Sequence, residues 1–199
     1  MTTYSFPSVT PTNVLWRLES NTAIFRSVFT GAAETVDRGG EHWRVRLDYR
    51  NIKGADKAVM KAWLTRLNGQ QHRFTLHDHS LIQRGSFGGS PLVWGASQTG
   101  KQLSVDGCST GITNWIRAGD MFEVNGSLKM QTIDATSDGS GQIVLDFIPR
   151  IVSAPPNNDT IVTTTPSGLF MLAKPEVQWS NAPGDFSNFS FDAIEDIAT

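Results

Sequence analysis

The histidines and the single cysteine are the side chains of this 199-residue chain best suited to chemistry near neutral pH. His77 and His79 stand two positions apart. On a strand their imidazoles would share one face and could begin a metal site. No further histidine follows to complete a ligand shell. The sequence leaves two interpretations open, a partial metal site and a polar loop that crosses between domains.

Other candidate groups give weaker signals. Cys108 is the only cysteine, which excludes an intrachain disulfide and is typical of a reducing compartment. No group that would activate a thiol adjoins it, so we expect an inert residue in a turn. His42 and His72 have no orienting partner that the sequence identifies. The segment Gly85–Gly89 lacks both the Gly-Lys-Ser/Thr ending of a phosphate loop and the Gly-x-Ser-x-Gly spacing of a nucleophile elbow.

Acidic and aromatic side chains leave a carbohydrate-directed alternative. The relevant carboxylates lie in predicted turns and on the predicted solvent-exposed faces of strands. They are Glu123, Asp134, Asp138 and Asp146. A glycosidase needs two carboxylates, but almost any β protein offers such a pair. Trp94 and Trp115 could stack on sugars, although such residues more often fill a core or an interface. We expect no enzyme activity, no cofactor and no bound metal.

The composition argues against some partners. The formal net charge is -2, and the Lys and Arg residues are scattered along the chain. It therefore has no overall attraction to nucleic acid or to an anionic membrane. Residues 1–20 contain no uninterrupted apolar run after a basic start, which predicts the absence of a signal peptide. No segment approaches the ~20 apolar residues that span a bilayer. We expect a soluble protein of the cytoplasm, or of a particle assembled there.

A unit of strand, helix and strand between residues 38 and 76 organises the chain. In residues 43–50 the apolar side chains take the odd positions and the charged ones the even positions, which predicts a strand with one buried face. From Gly54 the apolar residues recur every four positions, which predicts a helix that ends at Asn68-Gly69. We expect three strand residues to face three helix residues. These are Trp43, Leu47 and Tyr49 on the strand and Val59, Trp63 and Leu67 on the helix.

The N-terminal third adds an extended N-terminal segment and one predicted strand. Residues 1–13 are rich in Thr, Ser and Pro and predict an extended N-terminal segment, which favours a role in assembly. Residues 23–29 carry β-branched and aromatic side chains and predict one strand. The economical arrangement pairs the region 23–37 with residues 43–50 as an antiparallel hairpin.

The middle of the chain predicts a small antiparallel barrel or sandwich. Its predicted strands cover residues 101–105, 121–124, 128–131 and 142–147, and Asn125-Gly126 is a strong hairpin signal. Residues 169–172 are predicted to be the last strand of this region. The alternating strand 188–194 is expected to return to the first sheet, which has too few strands to be stable alone. The expected fold is mainly β: residues 1–80 and 173–199 form a β-sandwich with one helix, and residues 81–172 form an inserted β domain.

Several segments of the sequence resemble segments of minor tail proteins of long-tailed bacteriophages. They are Phe25-Arg26-Ser27-Val28-Phe29-Thr30-Gly31-Ala32, Thr35-Val36-Asp37-Arg38-Gly39-Gly40, Trp43-Arg44-Val45, a helix at Ala58 to Leu64, Leu67-Asn68-Gly69 and Phe74, Arg117-Ala118-Gly119-Asp120-Met121-Phe122, and Thr136-Ser137-Asp138-Gly139-Ser140-Gly141. The resemblance spans most of the chain. Its motifs are turn, core and packing residues.

Through that family, the resemblance implies a distal tail protein of a siphovirus-type phage. Such a protein has a β-sandwich belt domain that forms a hexameric ring between the tail tube and the tail-tip hub, and a peripheral β domain that can face tail fibres. DNA passes through the ring without specific binding, and the protein resides in the virion. We predict subunit contacts at Arg26, Glu34, Asp37, Arg44, Arg46 and Asp48. The alternative function is a carbohydrate-binding module for attachment to a host surface.

Overall fold

The computed structural model describes residues 1–197 of the chain. Within these residues it has one helix, α1 (Gly54–Arg66), and fourteen strands. The strands are β1 (Thr3–Tyr4), β2 (Asn13–Glu19), β3 (Thr22–Arg26), β4 (Ala33–Asp37), β5 (His42–Ile52), β6 (Arg73–His77), β7 (Gly89–Val93), β8 (Gly100–Cys108), β9 (Met121–Val124), β10 (Ser127–Gln131), β11 (Ile143–Ile151), β12 (Ser167–Leu172), β13 (Trp179–Ala182) and β14 (Phe186–Glu195). The fold is mainly β with one helix, as the sequence predicts.

The large sheet has seven strands in the order β1-β6-β12-β14-β5-β2, with β13 added to β14. Strand β5 lies between β2 and β14 and pairs antiparallel with both. The prediction that the closing strand returns to the first part of the chain is confirmed, because β14 pairs with β5. Strand β1 pairs parallel to β6 and brings the N-terminal segment against its own sheet. The prediction that residues 1–13 serve in assembly gains no support from this placement.

The core of the large sheet lies between the sheet and α1. The odd-numbered side chains of β5 from Trp43 to Tyr49 are buried, as the period of two predicts. Trp63 and Leu67 join the same cluster, but the prediction for Val59 is wrong, because that side chain is 48 % exposed. A step of four residues turns a helix by about 400°, so a stripe with that period drifts around the axis. The buried helix residues instead follow the spacing of Met60, Trp63 and Leu64.

The second sheet has five antiparallel strands in the order β7-β8-β11-β10-β9. Residues 158–162 bond to both of its edge strands, through the bridge from Leu92 to Thr160 and the bridge from Glu123 to Val162. This segment therefore connects the two edges of the curled sheet. The hairpin at Asn125-Gly126 is confirmed, since Val124 pairs with Ser127 and both turn residues have positive φ.

The prediction that residues 23–37 pair with residues 43–50 is wrong. Strands β3 and β4 pair only with each other, in the register Thr22 with Asp37. A tight turn at residues 27–31 causes this: the Ser27 hydroxyl accepts N–H bonds from Phe29 and Thr30 at 3.3 Å, and Gly31 has φ +70°. The chain therefore reverses direction inside the predicted strand 23–29, and β3 pairs with β4. We call residues 22–37 the arm.

Residues 169–172 lie in β12, which the sequence assigned to the middle region. In the structure β12 pairs with β6 and β14 inside the large sheet. Local alternation cannot distinguish the two sheets, because the same pattern fits either one. The division into a belt domain and an inserted domain stays a prediction. Among residues 1–197, no helix is long and apolar enough to cross a membrane.

Candidate assembly surface

The arm carries large apolar side chains that are exposed to solvent. Phe25 and Val36 lie on one face of the two strands and are 56 % and 48 % exposed, and Ile24 on the other face is 61 % exposed. Val28 and Phe29 form the tip and are 90 % and 95 % exposed. An isolated two-stranded hairpin is marginally stable in water. Exposed apolar side chains that lie together are typical of surfaces that contact another protein, a membrane or a ligand.

Strand β2 gives the molecule an open edge. It is the last strand in the order of the large sheet, and it has seven residues. Leu15 and Leu18 on this strand are 42 % and 36 % exposed. Edge strands of soluble proteins are usually short, charged or covered, because their free N–H and C=O groups pair readily with another strand. A long edge with exposed leucines beside the arm favours the addition of a strand from another chain.

The predicted contact residues divide into two groups. Arg26, Glu34 and Asp37 lie on the arm and are exposed. Arg44, Arg46 and Asp48 lie on the face of β5 that points away from α1. Their role as subunit contacts stays a prediction. The exposure of the apolar side chains of the arm could not be read from the sequence, because period-two alternation predicts that one face of a strand is buried.

The charged face of β5 is balanced within the chain. Arg44 Nη1 lies 3.0 Å from Glu19 Oε1, and Arg46 Nε lies 3.4 Å from Asp48 Oδ1. The Ser190 hydroxyl donates to Asp48 at 2.6 Å and is the main cause of the lowered pKa of that carboxyl group. Exposed ion pairs contribute little net energy. Because these charges are already paired within the chain, we expect this face to gain less free energy on binding a neighbouring copy than the apolar arm gains.

The histidine pair forms a close contact. The rings of His77 and His79 lie on the same side, with centroids 4.2 Å apart. Partial burial and the neighbouring His77 ring lower the pKa of His79. Asp78 turns to the local backbone and accepts a hydrogen bond from the Ser80 N–H at 2.9 Å. Among residues 1–197, no group of three or more His, Cys, Asp or Glu side chains could hold a metal ion.

The cysteine and the carboxylates are buried or hydrogen-bonded within the chain. Cys108 is buried, and burial raises the pKa of its thiol to about 12, so it is not a thiolate at neutral pH. Asp138 accepts N–H bonds from Ser140 and Gln142 in its own turn, both at 2.8 Å. The remaining carboxylates considered above also accept hydrogen bonds within the chain: Glu123 from Ser167, Asp134 from Ala118 and Asp146 from Gln102.

The two tryptophans considered for sugar stacking differ in exposure. Trp115 is fully buried and donates its indole N–H to the Gly88 carbonyl oxygen at 2.9 Å. It fills the core of the second sheet and is unable to stack on a sugar. Trp94 is 50 % exposed at the end of β7. A carbohydrate site would have to rely on Trp94 without Trp115.

A buried polar cluster joins the two sheets. The Glu195 carboxylate accepts hydrogen bonds from the Trp43 N–H at 3.2 Å, the Leu128 N–H at 3.0 Å and the Ser127 hydroxyl at 2.8 Å. The Lys129 ammonium donates to the same Ser127 hydroxyl at 2.8 Å. Burial lowers the pKa of Lys129 to about 8. A buried charge needs such partners to be tolerated, so this cluster fixes the second sheet against the large sheet.

No protein-family model matches the chain, and no curated protein matches it either.

Proposed function

We propose that this protein is a structural subunit that forms a ring by contacts between copies of itself, and that the ring belongs to the tail tip of a long-tailed bacteriophage. The observation that carries the proposal is the arm. Its five large apolar side chains are between 48 % and 95 % exposed, and they lie on a hairpin that is marginal when isolated. The resemblance of the sequence to distal tail proteins supplies the particle.

The ring follows from two different surfaces on one chain. The arm offers apolar side chains, and the edge of β2 offers free backbone groups beside Leu15 and Leu18. When a donor surface of one copy meets a different acceptor surface of the next copy, the contact is heterologous. Such contacts produce a closed ring if the rotation between copies closes, and a filament if it does not. The resemblance favours a ring of six copies.

A ring at the tail tip would have a structural role. It would join the tail tube to the tail-tip hub and leave a channel for DNA. The net charge of -2 agrees with this role, because a channel wall that is not basic lets DNA slide without specific binding. The proposal includes no catalysis and no cofactor, and it places the protein in the virion after assembly in the host cytoplasm.

The proposal is tested first by the mass of the purified protein in solution. We expect oligomers whose population rises with concentration, and we expect the double variant V28S/F29S to shift the protein to the monomer. The control is Ile133→Ser, since Ile133 is 61 % exposed but lies outside the arm and β2. Equal assembly of V28S/F29S and the unchanged protein would contradict a role for the arm.

The particle gives the second test. We expect the ring to lie at the end of the tail tube, so an image of the assembled particle is the decisive observation. Antibody labelling or a density fit should place six copies around the tail axis at the end of the tube. A single copy, or three copies away from that axis, would refute the proposal. Binding of a purified polysaccharide by the monomer at Trp94 would favour the carbohydrate-binding alternative.

A further inference from the structure

The root of the arm is held by the second sheet. Asp37 ends the arm, and Gly39 and Glu41 follow it before β5. The carboxylates of Asp37 and Glu41 both pair with cations of the second sheet. The Lys101 ammonium lies 2.6 Å from Glu41 and 3.9 Å from Asp37. We use the name clamp for four charged residues at this site: Asp37, Glu41, Lys101 and Arg150.

Arg150 completes the clamp from β11. Its guanidinium Nη2 lies 3.5 Å from Asp37 Oδ2, and its backbone N–H donates to Glu41 Oε2 at 3.2 Å. The guanidinium also packs on the backbone of Gly39, where an added Cβ would lie 3.0 Å from Nη1. One residue of the second sheet therefore contacts three positions of the arm root.

The two carboxylates differ in burial, and this difference gives them different roles. Glu41 is 3 % exposed and lies 2.6 Å from Lys101, whose side chain is 42 % exposed, so salt screens this partly buried ion pair less than a pair of two exposed groups. The Asp37 side chain is 42 % exposed, and its pairs with Lys101 and Arg150 are long. Exposed pairs of this kind are weak and are screened by salt. Glu41 is suited to anchor the root, and Asp37 is suited to act as a releasable latch.

A glycine pair lies between the anchor and the latch. Gly39 and Gly40 have φ angles of +70° and +79°, a region that glycine enters at little cost. Consecutive glycines provide the backbone freedom that a hinge needs. Within the described residues, none of the arm (residues 22–37) belongs to either hydrophobic core. The arm joins the folded chain at two connections, Ser20-Asn21 after β2 and residues 38–41 before β5, and the Arg38 N–H donates to the Asn21 carbonyl oxygen at 3.0 Å. The direction of the arm is thus set at these two connections.

We propose that Lys101 and Arg150 of the second sheet position the arm, and that release of the Asp37 latch lets the arm swing about its two connections, Ser20-Asn21 and Gly39-Gly40. This inference rests on the proposed function, because a positioned arm matters only if the arm contacts a neighbouring copy. It assigns the second sheet a part in assembly, namely to present the arm in one direction. High ionic strength frees the arm before it affects the Glu41 anchor.

The test measures the direction of the arm within one chain. Spin labels are attached at Val28→Cys on the arm tip and Val144→Cys on β11, in a Cys108→Ala background, and labelled chains are diluted with unlabelled ones. Val28 and Val144 are exposed, whereas Cys108 is buried. We expect one narrow distance distribution at low salt. It should become about twofold wider near 1 M salt, because the arm then samples more than one direction.

Matched variants separate the latch from general effects of charge. Asp37→Asn and Arg150→Gln should widen the distribution at low salt, and the exchanged pair D37R/R150D should narrow it again. Glu34→Gln on the arm and Arg117→Gln in the segment between β8 and β9 remove comparable charges outside the clamp and should leave the distribution narrow. Asp37 is exposed, so Asp37→Asn is expected to fold.

The outcomes for the clamp and for the ring are distinguishable. A folded Asp37→Asn protein with an unchanged distance distribution would overturn the clamp, whatever the oligomeric state. A chain that never assembles, yet shows the expected widening, would overturn the ring and retain the clamp. Circular dichroism of each variant establishes that it is folded before the distances are compared.

Discussion

The indole N–H of Trp43 donates a hydrogen bond to the main-chain oxygen of Leu128 at 3.0 Å. Trp43 lies on β5 of the large sheet and Leu128 on β10 of the second sheet, 85 positions apart. Both side chains are buried in the same cluster, which also includes Met121. The core of the large sheet is therefore completed by side chains from the middle of the chain, and the two sheets support each other.

This dependence affects the outcome of deletions. Removal of residues 85–172 takes away Met121 and Leu128 together with all of β12, the strand between β6 and β14. We expect that product to lack a cooperative unfolding transition, since its sheet is interrupted at the centre. A shorter deletion of residues 85–165 keeps β12 and should recover β structure in far-UV circular dichroism. Cooperative unfolding of the longer deletion would show that β12 is dispensable.

Glu195→Gln should destabilise the junction between the sheets. The carboxylate is 3 % exposed and accepts three hydrogen bonds from Trp43, Ser127 and Leu128. An amide retains one acceptor oxygen and places an NH₂ group against a donor, which costs about 1–3 kcal/mol. Urea unfolding should show this loss, whereas Glu34→Gln on the exposed arm should change the free energy of unfolding by less than about 0.5 kcal/mol. Equal effects of the two variants would contradict a structural role for Glu195.

Lys129 should make stability rise with pH in the alkaline range. Its pKa is about 8 in the folded protein and 10.5 in the reference state. Between these values the unfolded chain holds the proton that the folded chain has lost. The free energy of unfolding therefore increases with pH, by up to ~1.4 kcal/mol per unit, and the cost of burying the charge is largest below pH 8.

The measurement must separate Lys129 from Cys108. The pKa of Cys108 is raised from 9.0 to about 12, so the folded chain retains that proton longer and stability falls as pH rises above 9. Denaturant unfolding between pH 8 and 9, in a Cys108→Ala background, isolates the lysine. Lys129→Met should remove the positive slope. A slope that persists in Lys129→Met would assign the effect to another group.

Trp63→Ala should unfold the protein or make it insoluble. The side chain is 7 % exposed, donates its N–H to the Ser5 carbonyl oxygen at 3.0 Å, and packs on Phe6 and Phe74 with ring centroids 5.0 Å away. Loss of a buried Trp typically costs ~3–5 kcal/mol, a large share of the stability of a domain. Lys57→Ala and Val59→Ala on the same helix should leave soluble, folded protein. Equal tolerance of all three variants would show that Trp63 is not a core residue.

Sequence reasoning succeeded where one local period determined burial. The alternation in β5 identified its buried side chains from Trp43 to Tyr49, because a strand can bury only one of its faces in this sheet. The turn at Asn125-Gly126 was equally local, since it requires positive φ at both residues. The sheet that receives β12 could not be predicted, because its pairing with β6 depends on contacts about 90 residues apart.

The candidate assembly surface was predicted only in part. The sequence drew attention to Arg26 and Asp37 through their charges, and both lie on the arm. It gave no sign that Phe25 or Ile24 would be exposed, because apolar residues on a strand predict burial against the same chain. Burial in another copy produces the same pattern. The turn at Ser27–Gly31 was the local signal that could have shown the hairpin as a separate element.

Leu15→Glu should prevent assembly without affecting the fold. Leu15 is 42 % exposed on the edge strand β2 and lies opposite Arg46, so an introduced carboxylate meets an opposite charge. A charge on an edge strand opposes the addition of another strand. We expect this variant to remain monomeric at concentrations where the unchanged protein assembles, with a free energy of unfolding within about 0.5 kcal/mol of the unchanged value. Val144→Glu places the same charge on the second sheet at a site that is 51 % exposed and should assemble normally. If Leu15→Glu assembles as well as Val144→Glu, the edge of β2 is not the acceptor surface, and the arm must bind elsewhere on the neighbouring copy.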